Sequence, residues 1–127
     1  MKLTFVKIFP GFAHLVNRLD PICGKVMIAM CARMNTKNEI HLSKDLNELL
    51  IRGNVSEAEL YEAVAVLMDY PSISANEVIG DTYVGPLVQK DGDKFIINPC
   101  FAHKNGGHHR GELIVDYFKL YEDNVSN

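Results

Sequence analysis

Residues 54–70 read NVSEAELYEAVAVLMDY. Ser56 and Glu59 have the S-x-x-E spacing of a capping box, which satisfies backbone N–H groups at a helix start. Val55 and Leu60 are spaced to form the accompanying hydrophobic staple. Leu60, Val64 and Leu67 recur at i, i+4 and i+7, which makes one helical stripe, and Pro71 ends the run. From Ser56 to Asp69 the helix carries Glu57, Glu59, Glu62 and Asp69 but no Lys or Arg. Glu59, Glu62 and Asp69 fall together, away from the apolar stripe.

Upstream, Ser43 is placed to cap a preceding helix, with Asp45 in its first turn where the helix dipole favours an acid. Leu46, Leu49 and Leu50 form its apolar stripe, and Gly53 is a natural stop. Two short helices across Asn54-Val55 make a helix-turn-helix. Before them, Glu39-Ile40-His41-Leu42 reads as a short strand. Asp20-Pro21 is a helix start, an N-cap acid followed by proline at the first helical position. That helix runs to about Met34, and Lys25 and Arg33 are its only charges, so most of its circumference is expected inside. Residues 3–9, LTFVKIF, read as a strand, and Phe12, Leu15, Val16 and Leu19 follow helical spacing.

Downstream, residues 72–85 are irregular. Leu87–Lys90 and Lys94–Ile97 then flank Asp91-Gly92-Asp93, a hairpin signal, and Asn98-Pro99 closes the second strand. The segment from about Gly111 to Asp123 predicts an amphipathic helix, with Leu113, Ile114, Tyr117, Phe118, Leu120 and Tyr121 on one broad side. This order predicts an α+β fold: a winged helix-turn-helix with an N-terminal strand and helix and a C-terminal amphipathic helix. The expectation is one domain over 1–127 with its core at 20–98.

The chain has 127 residues, 47% of them hydrophobic, enough to build a real core. No apolar run approaches the length that spans a bilayer. MKLTFVKIFPGF lacks the apolar core and cleavage site of a secretory signal, so a cytoplasmic location without membrane contact is expected. Cys23, Cys31 and Cys100 are odd in number and have no CxxC spacing, which argues against a disulfide framework. The formal net charge is −3, so any cationic footprint for nucleic acid must be a local patch.

The basic residues that offer such a patch are Lys90 and Lys94 in the wing, Lys104, His108, His109 and Arg110 in the polar loop at 103–110, and Lys44 and Arg52 in the first helix of the helix-turn-helix. Duplex DNA is the partner they imply, through phosphate contacts. The acidic face of the next helix reads in three ways: solvated surface, a protein-docking face built from Glu57, Glu59, Tyr61, Glu62 and Asp69, or a groove reader. Phosphates repel carboxylates, which disfavours the last. Cys100, His103, His108 and His109 have no standard zinc spacing, so no metal is expected. There is no phosphate-binding glycine loop, HExxH or nucleophile elbow, so neither a cofactor nor an enzyme is expected.

FVKIF at 5–9, ARMNTKNEIHLS at 32–43, the helix-turn-helix at 43–70 and GDKFIINPCFAHKNGG at 92–107 together resemble the small winged-helix replication initiators of plasmids and phages, the RepL-like proteins. The resemblance implies origin binding through the winged helix, recruitment of host replication proteins and no catalytic centre. Homodimerisation, through the C-terminal helix or the N-terminal strand, would give paired half-sites. Two features depart from the family pattern. Glutamates replace the polar or basic residues usual on the third helix, and the segment at 72–85 is long. The departure at the third helix keeps a second expectation open, a protein-interaction module that binds or inhibits a host complex.

Overall fold

The computed structural model describes residues 6–8, 19–69, 86–104 and 109–126. The expected helix before Leu19, the segment at 72–85 and His108 lie outside the described residues. The elements run β1 (Val6–Ile8), α1 (Pro21–Arg33), β2 (Glu39–His41), α2 (Leu42–Gly53), α3 (Glu57–Met68), β3 (Val88–Asp91), β4 (Lys94–Ile97), β5 (Ala102–Lys104) and α4 (Arg110–Ser126). They form a small α+β unit with four helices and a three-stranded antiparallel sheet of order β2-β4-β3. A two-stranded antiparallel sheet pairs β1 with β5. Among the described residues, no helix is long and apolar enough to cross a membrane.

α1 is the hub. Asp20 caps it by accepting from the Ile22 N–H at 2.9 Å, with Pro21 in the first turn. Val26, Met27, Met30 and Met34 are fully buried, and α2 and α3 both pack on this helix. Three methionines in the core suit it, because unbranched thioethers fill the irregular gaps where helices cross. Leu49 from α2, then Leu60, Val64 and Leu67 from α3, face them, and Ile40, Val88 and Ile97 close the core from the sheet.

Local chemistry sets the element ends. Ser56 Oγ accepts from the Glu59 N–H at 3.1 Å and Glu59 Oε1 accepts from the Ser56 N–H at 2.9 Å, the expected capping box. The expected hairpin forms, but its first strand runs Val88–Asp91 instead of ending at Lys90, so Asp91 lies opposite Lys94 and only Gly92 and Asp93 are loop residues. Gly92 has φ +64, the left-handed value that a two-residue hairpin turn requires at this position and that glycine adopts without strain.

Several boundaries differ from the sequence reading. Ser43 does not cap α2. The β2–β4 pairing runs through His41, so the chain enters the helix directly from the strand at Leu42. Asp45 serves the helix start instead, its Oδ2 accepting from the His41 N–H at 3.1 Å. Gly53 is the last helical residue of α2, and the left-handed C-cap is Asn54 at φ 51. The C-terminal helix is longer than 111–123, spanning Arg110–Ser126, and Tyr117 alone of its expected apolar side is buried. Tyr117 Oη donates to the Pro86 carbonyl at 2.7 Å, and the Tyr117 carbonyl accepts from Gln89 Nε2 at 3.0 Å, which fixes α4 against β3.

The largest difference is at 102–104, where the expected polar loop is instead the strand β5. Asn98 turns the chain into it, with Oδ1 accepting from the Cys100 N–H at 2.8 Å and its carbonyl from the Phe101 N–H at 3.1 Å. Asn38 joins the two sheets. It is fully buried at φ 61, and its Nδ2 donates to Ile97 O at 3.0 Å and Ala102 O at 2.8 Å.

Candidate nucleic-acid interface

The sheet edge and the helix ends beside it decide which of the expected DNA-contacting residues meet. β2 is an edge strand, and α2 starts immediately after it, so the end of α1, the turn at 34–38, β2 and the first turn of α2 share one surface. A cavity of about 280 Å³ lies there, lined by Arg33, Asn35, His41, Lys44 and Lys104 around Glu39 and Asp45. Lys94 reaches the same place from β4, with Nζ 2.9 Å from Glu39 Oε2. Lys37 is close enough for its charge to act on Glu39, and with Lys104 it lines an adjoining cavity of about 570 Å³.

Five cations therefore converge: Arg33, Lys37, Lys44, Lys94 and Lys104. The carboxylates of the smaller cavity are Glu39 and Asp45, and both are already occupied; Glu112 and Asp116 line the adjoining cavity with Lys37, and Asp91 and Asp93 act on Lys94. Asp45 Oδ1 accepts from Arg33 Nε at 3.0 Å, and Glu39 Oε1 accepts from Asn35 Nδ2 at 3.0 Å. Burial works to raise the Glu39 pKa, but the hydrogen bonds from Asn35 and Lys94 and the charges of Lys94 and Lys37 outweigh it and hold the carboxyl below the usual range. Glu39 pushes the Lys94 pKa up through the same hydrogen bond and charge. In the smaller cavity three cations, Arg33, Lys44 and Lys104, face two carboxylates, and the start of α2 adds the positive end of its helix dipole.

The other expected contacts sit differently. Arg110 does not project into solvent; Nε donates to Pro99 O at 2.8 Å and Nη2 to Cys100 O at 3.0 Å, clamping the β4–β5 turn to α4. Arg52 Nε lies 3.3 Å from Glu48 Oε2, an exposed i,i+4 pair. His109 precedes α4 at φ 63, its Nδ1 3.8 Å from Glu112 Oε2. Lys90 is exposed on β3, beside Asp91 and Asp93 at the hairpin tip. Lys44, Lys94 and Lys104 come together, whereas Arg52, Lys90 and Arg110 do not join them. Arg33, Lys37 and His41 escape a reading of the sequence for basic patches. Their signal is the stretch ARMNTKNEIHLS itself, in which a helix end, a turn and a strand each hold one base.

The exposed face of α3 consists of Glu57, Ala58, Tyr61, Glu62, Ala65 and Val66, with Asp69 at its C-cap, and contains no cation. Glu59 turns back into its capping box. Among the described residues, no group of three or more His, Cys, Asp or Glu is placed to hold a metal ion. Cys31 is buried, which pushes its thiol up to about 12, and burial also raises Cys100 against the opposing charge of Arg110, so both thiols stay protonated and unreactive near neutral pH. No family model, no curated protein and no solved structure matches the chain.

Proposed function

We propose that the chain is a non-enzymatic winged helix-turn-helix protein of the replication-initiator type, one that binds duplex DNA through its phosphates. The order of α1, β2, α2, α3 and the β3–β4 hairpin, with sheet order β2-β4-β3, supports the winged-helix reading. The resemblance of the segments at 32–43 and 92–107 to RepL-like initiators supports the rest.

The observation that carries the DNA reading is the convergence of Arg33, Lys37, Lys44, Lys94 and Lys104 on the β2–α2 surface. Phosphate attraction is the sequence-independent part of DNA affinity, and a local excess of cations supplies it even on a chain of net charge −3. The expected contact therefore shifts from the wing and the 103–110 loop to the end of α1 and the start of α2. α3 stands aside from the phosphates, and its carboxylates meet none of them.

Fluorescence anisotropy of a mixed-sequence duplex, titrated from about 50 to about 200 mM salt, tests this. The expected result is binding at low salt that weakens linearly on logarithmic axes. Lys37→Glu with Lys44→Glu, both exposed, reduces that slope by roughly 0.9 for each phosphate no longer neutralised. Absence of binding at the lowest salt removes the reading.

A further inference from the structure

A second groove, of about 310 Å³, runs between the start of α1 and the outer side of α3. Its floor is apolar, made by Ile22, Cys23, Ala63 and Val66. Its rim is three carboxylates, Asp20, Glu59 and Glu62, and among the described residues no cation lines it. Two of them are already held in place by helix starts. Asp20 Oδ1 accepts from the Ile22 N–H and Glu59 Oε1 from the Ser56 N–H, each at 2.9 Å, and the second oxygen of each has no hydrogen bond to a described residue. Fixed carboxylates lose little freedom when a cation reaches them. Val66 in that floor, and Tyr61 on the exposed face of the same helix, are each 47% exposed, large side chains left in contact with solvent.

We propose that this groove binds a cationic segment of a partner protein, with an aliphatic side chain on the apolar floor and Arg or Lys on the carboxylate rim. The charge selects the occupant. A nucleic acid would bring phosphates against three carboxylates, and a second copy packed symmetrically here would set the two acidic rims against each other. A cationic segment satisfies rim and floor together, and Arg matches a carboxylate in both charge and geometry. The inference stands independently of DNA binding, because none of its residues belongs to the β2–α2 surface.

The probe is a fluorescein-labelled synthetic peptide of repeated Arg-Leu-Arg, with a matched peptide carrying Ser for every Leu. Backbone amide shifts of the isotope-labelled full chain locate the contact. The expected result is salt-sensitive binding of the Leu peptide, shifts at Ile22, Cys23, Ala63 and Val66, and much weaker binding of the Ser peptide. Glu62→Lys and Val66→Lys, both at exposed positions, each weaken it by roughly tenfold or more, with circular dichroism unchanged. Equal binding of the Ser peptide would reduce the groove to an acidic surface and overturn the proposal. So would shifts that map elsewhere, absence of binding at millimolar peptide, or self-association that shifts the same four residues without peptide.

Discussion

Lys104 Nζ lies 2.8 Å from the carbonyl oxygen of Met34, the C-cap of α1, although seventy positions separate the two residues in sequence. The last carbonyls of a helix lack intrahelical donors and carry the negative end of its dipole, so an ammonium there is favourable twice over. Lys104 is thus a structural cation as well as a member of the basic surface. Lys104→Met keeps the aliphatic stem and removes the donor, and should lower stability by about 1–2 kcal/mol in urea unfolding followed by circular dichroism. Lys44→Met, which removes a cation with no partner among the described residues, should lie within about 0.5 kcal/mol of wild type. An equal loss for both would show that the Met34 contact adds nothing.

Asn38 permits a sharper test, because two separate causes act at one position. Its Nδ2 bridges Ile97 O and Ala102 O inside the protein, and its backbone sits at φ 61. Asn38→Ala loses both hydrogen bonds and places a Cβ-bearing residue without asparagine's local tolerance in the left-handed region, so a loss of about 3–4 kcal/mol is expected. Asn38→Gly relieves the backbone and still loses the bonds, so its loss should be about 1 kcal/mol smaller than that of the Ala variant. If Gly restored wild-type stability, the bridge between the two sheets would be energetically idle.

The Glu39–Lys94 pair makes stability depend on pH at both ends. The Glu39 pKa is lowered from 4.5 in the folded chain, so its contribution is complete above that value and is lost as pH falls through the lowered one. The Lys94 pKa is raised from 10.5, so its contribution is complete below that value and is lost as pH rises through the raised one. Glu39→Gln should therefore be less stable than wild type near neutrality, and the gap should close as pH falls through the lowered Glu39 pKa. The pair is partly exposed, so the gap is modest and shrinks in high salt. A gap that stays constant across the acid range would mean that Glu39 acts by packing alone.

What the sequence discloses divides by distance along the chain. Asp20-Pro21, Ser56-x-x-Glu59 and Asp91-Gly92-Asp93 announce themselves because cap and turn chemistry lies within a few residues, and the two caps and the hairpin form there. Leu60, Val64 and Leu67 are legible as core for the same reason, helical spacing. β5 is not legible, since three residues, Ala102-His103-Lys104, become a strand only by pairing with Val6–Ile8 almost the whole chain away. The basic surface is half legible. Lys44, Lys94 and Lys104 stand out as charges, but nothing local shows that Arg110 turns inward to Pro99 O and Cys100 O, or that Arg33 and Lys37 join the others. Ser43 misleads because the strand continues to His41 and the helix starts at Leu42, which leaves Ser43 inside the first turn instead of at the cap.

The acidic face of α3 makes a prediction that separates two ways of meeting DNA. If α3 entered the major groove, Glu57 and Glu62 would stand among phosphates, and neutralising both would remove a strong local repulsion. Glu57→Gln with Glu62→Gln should then tighten duplex binding by roughly tenfold or more at low salt. If contact runs instead through Arg33, Lys37 and Lys44, those carboxylates lie outside the contact and are screened by salt, so binding should change by less than about twofold near physiological ionic strength. The second outcome is expected, with the slope of affinity against salt unchanged, because slope counts the phosphates neutralised and no cation has been touched. Both glutamates are exposed and neither closes the capping box, so the double variant should unfold at the wild-type urea midpoint and its binding can be compared directly. A large gain in affinity would place α3 against the DNA and displace the β2–α2 surface as the primary contact.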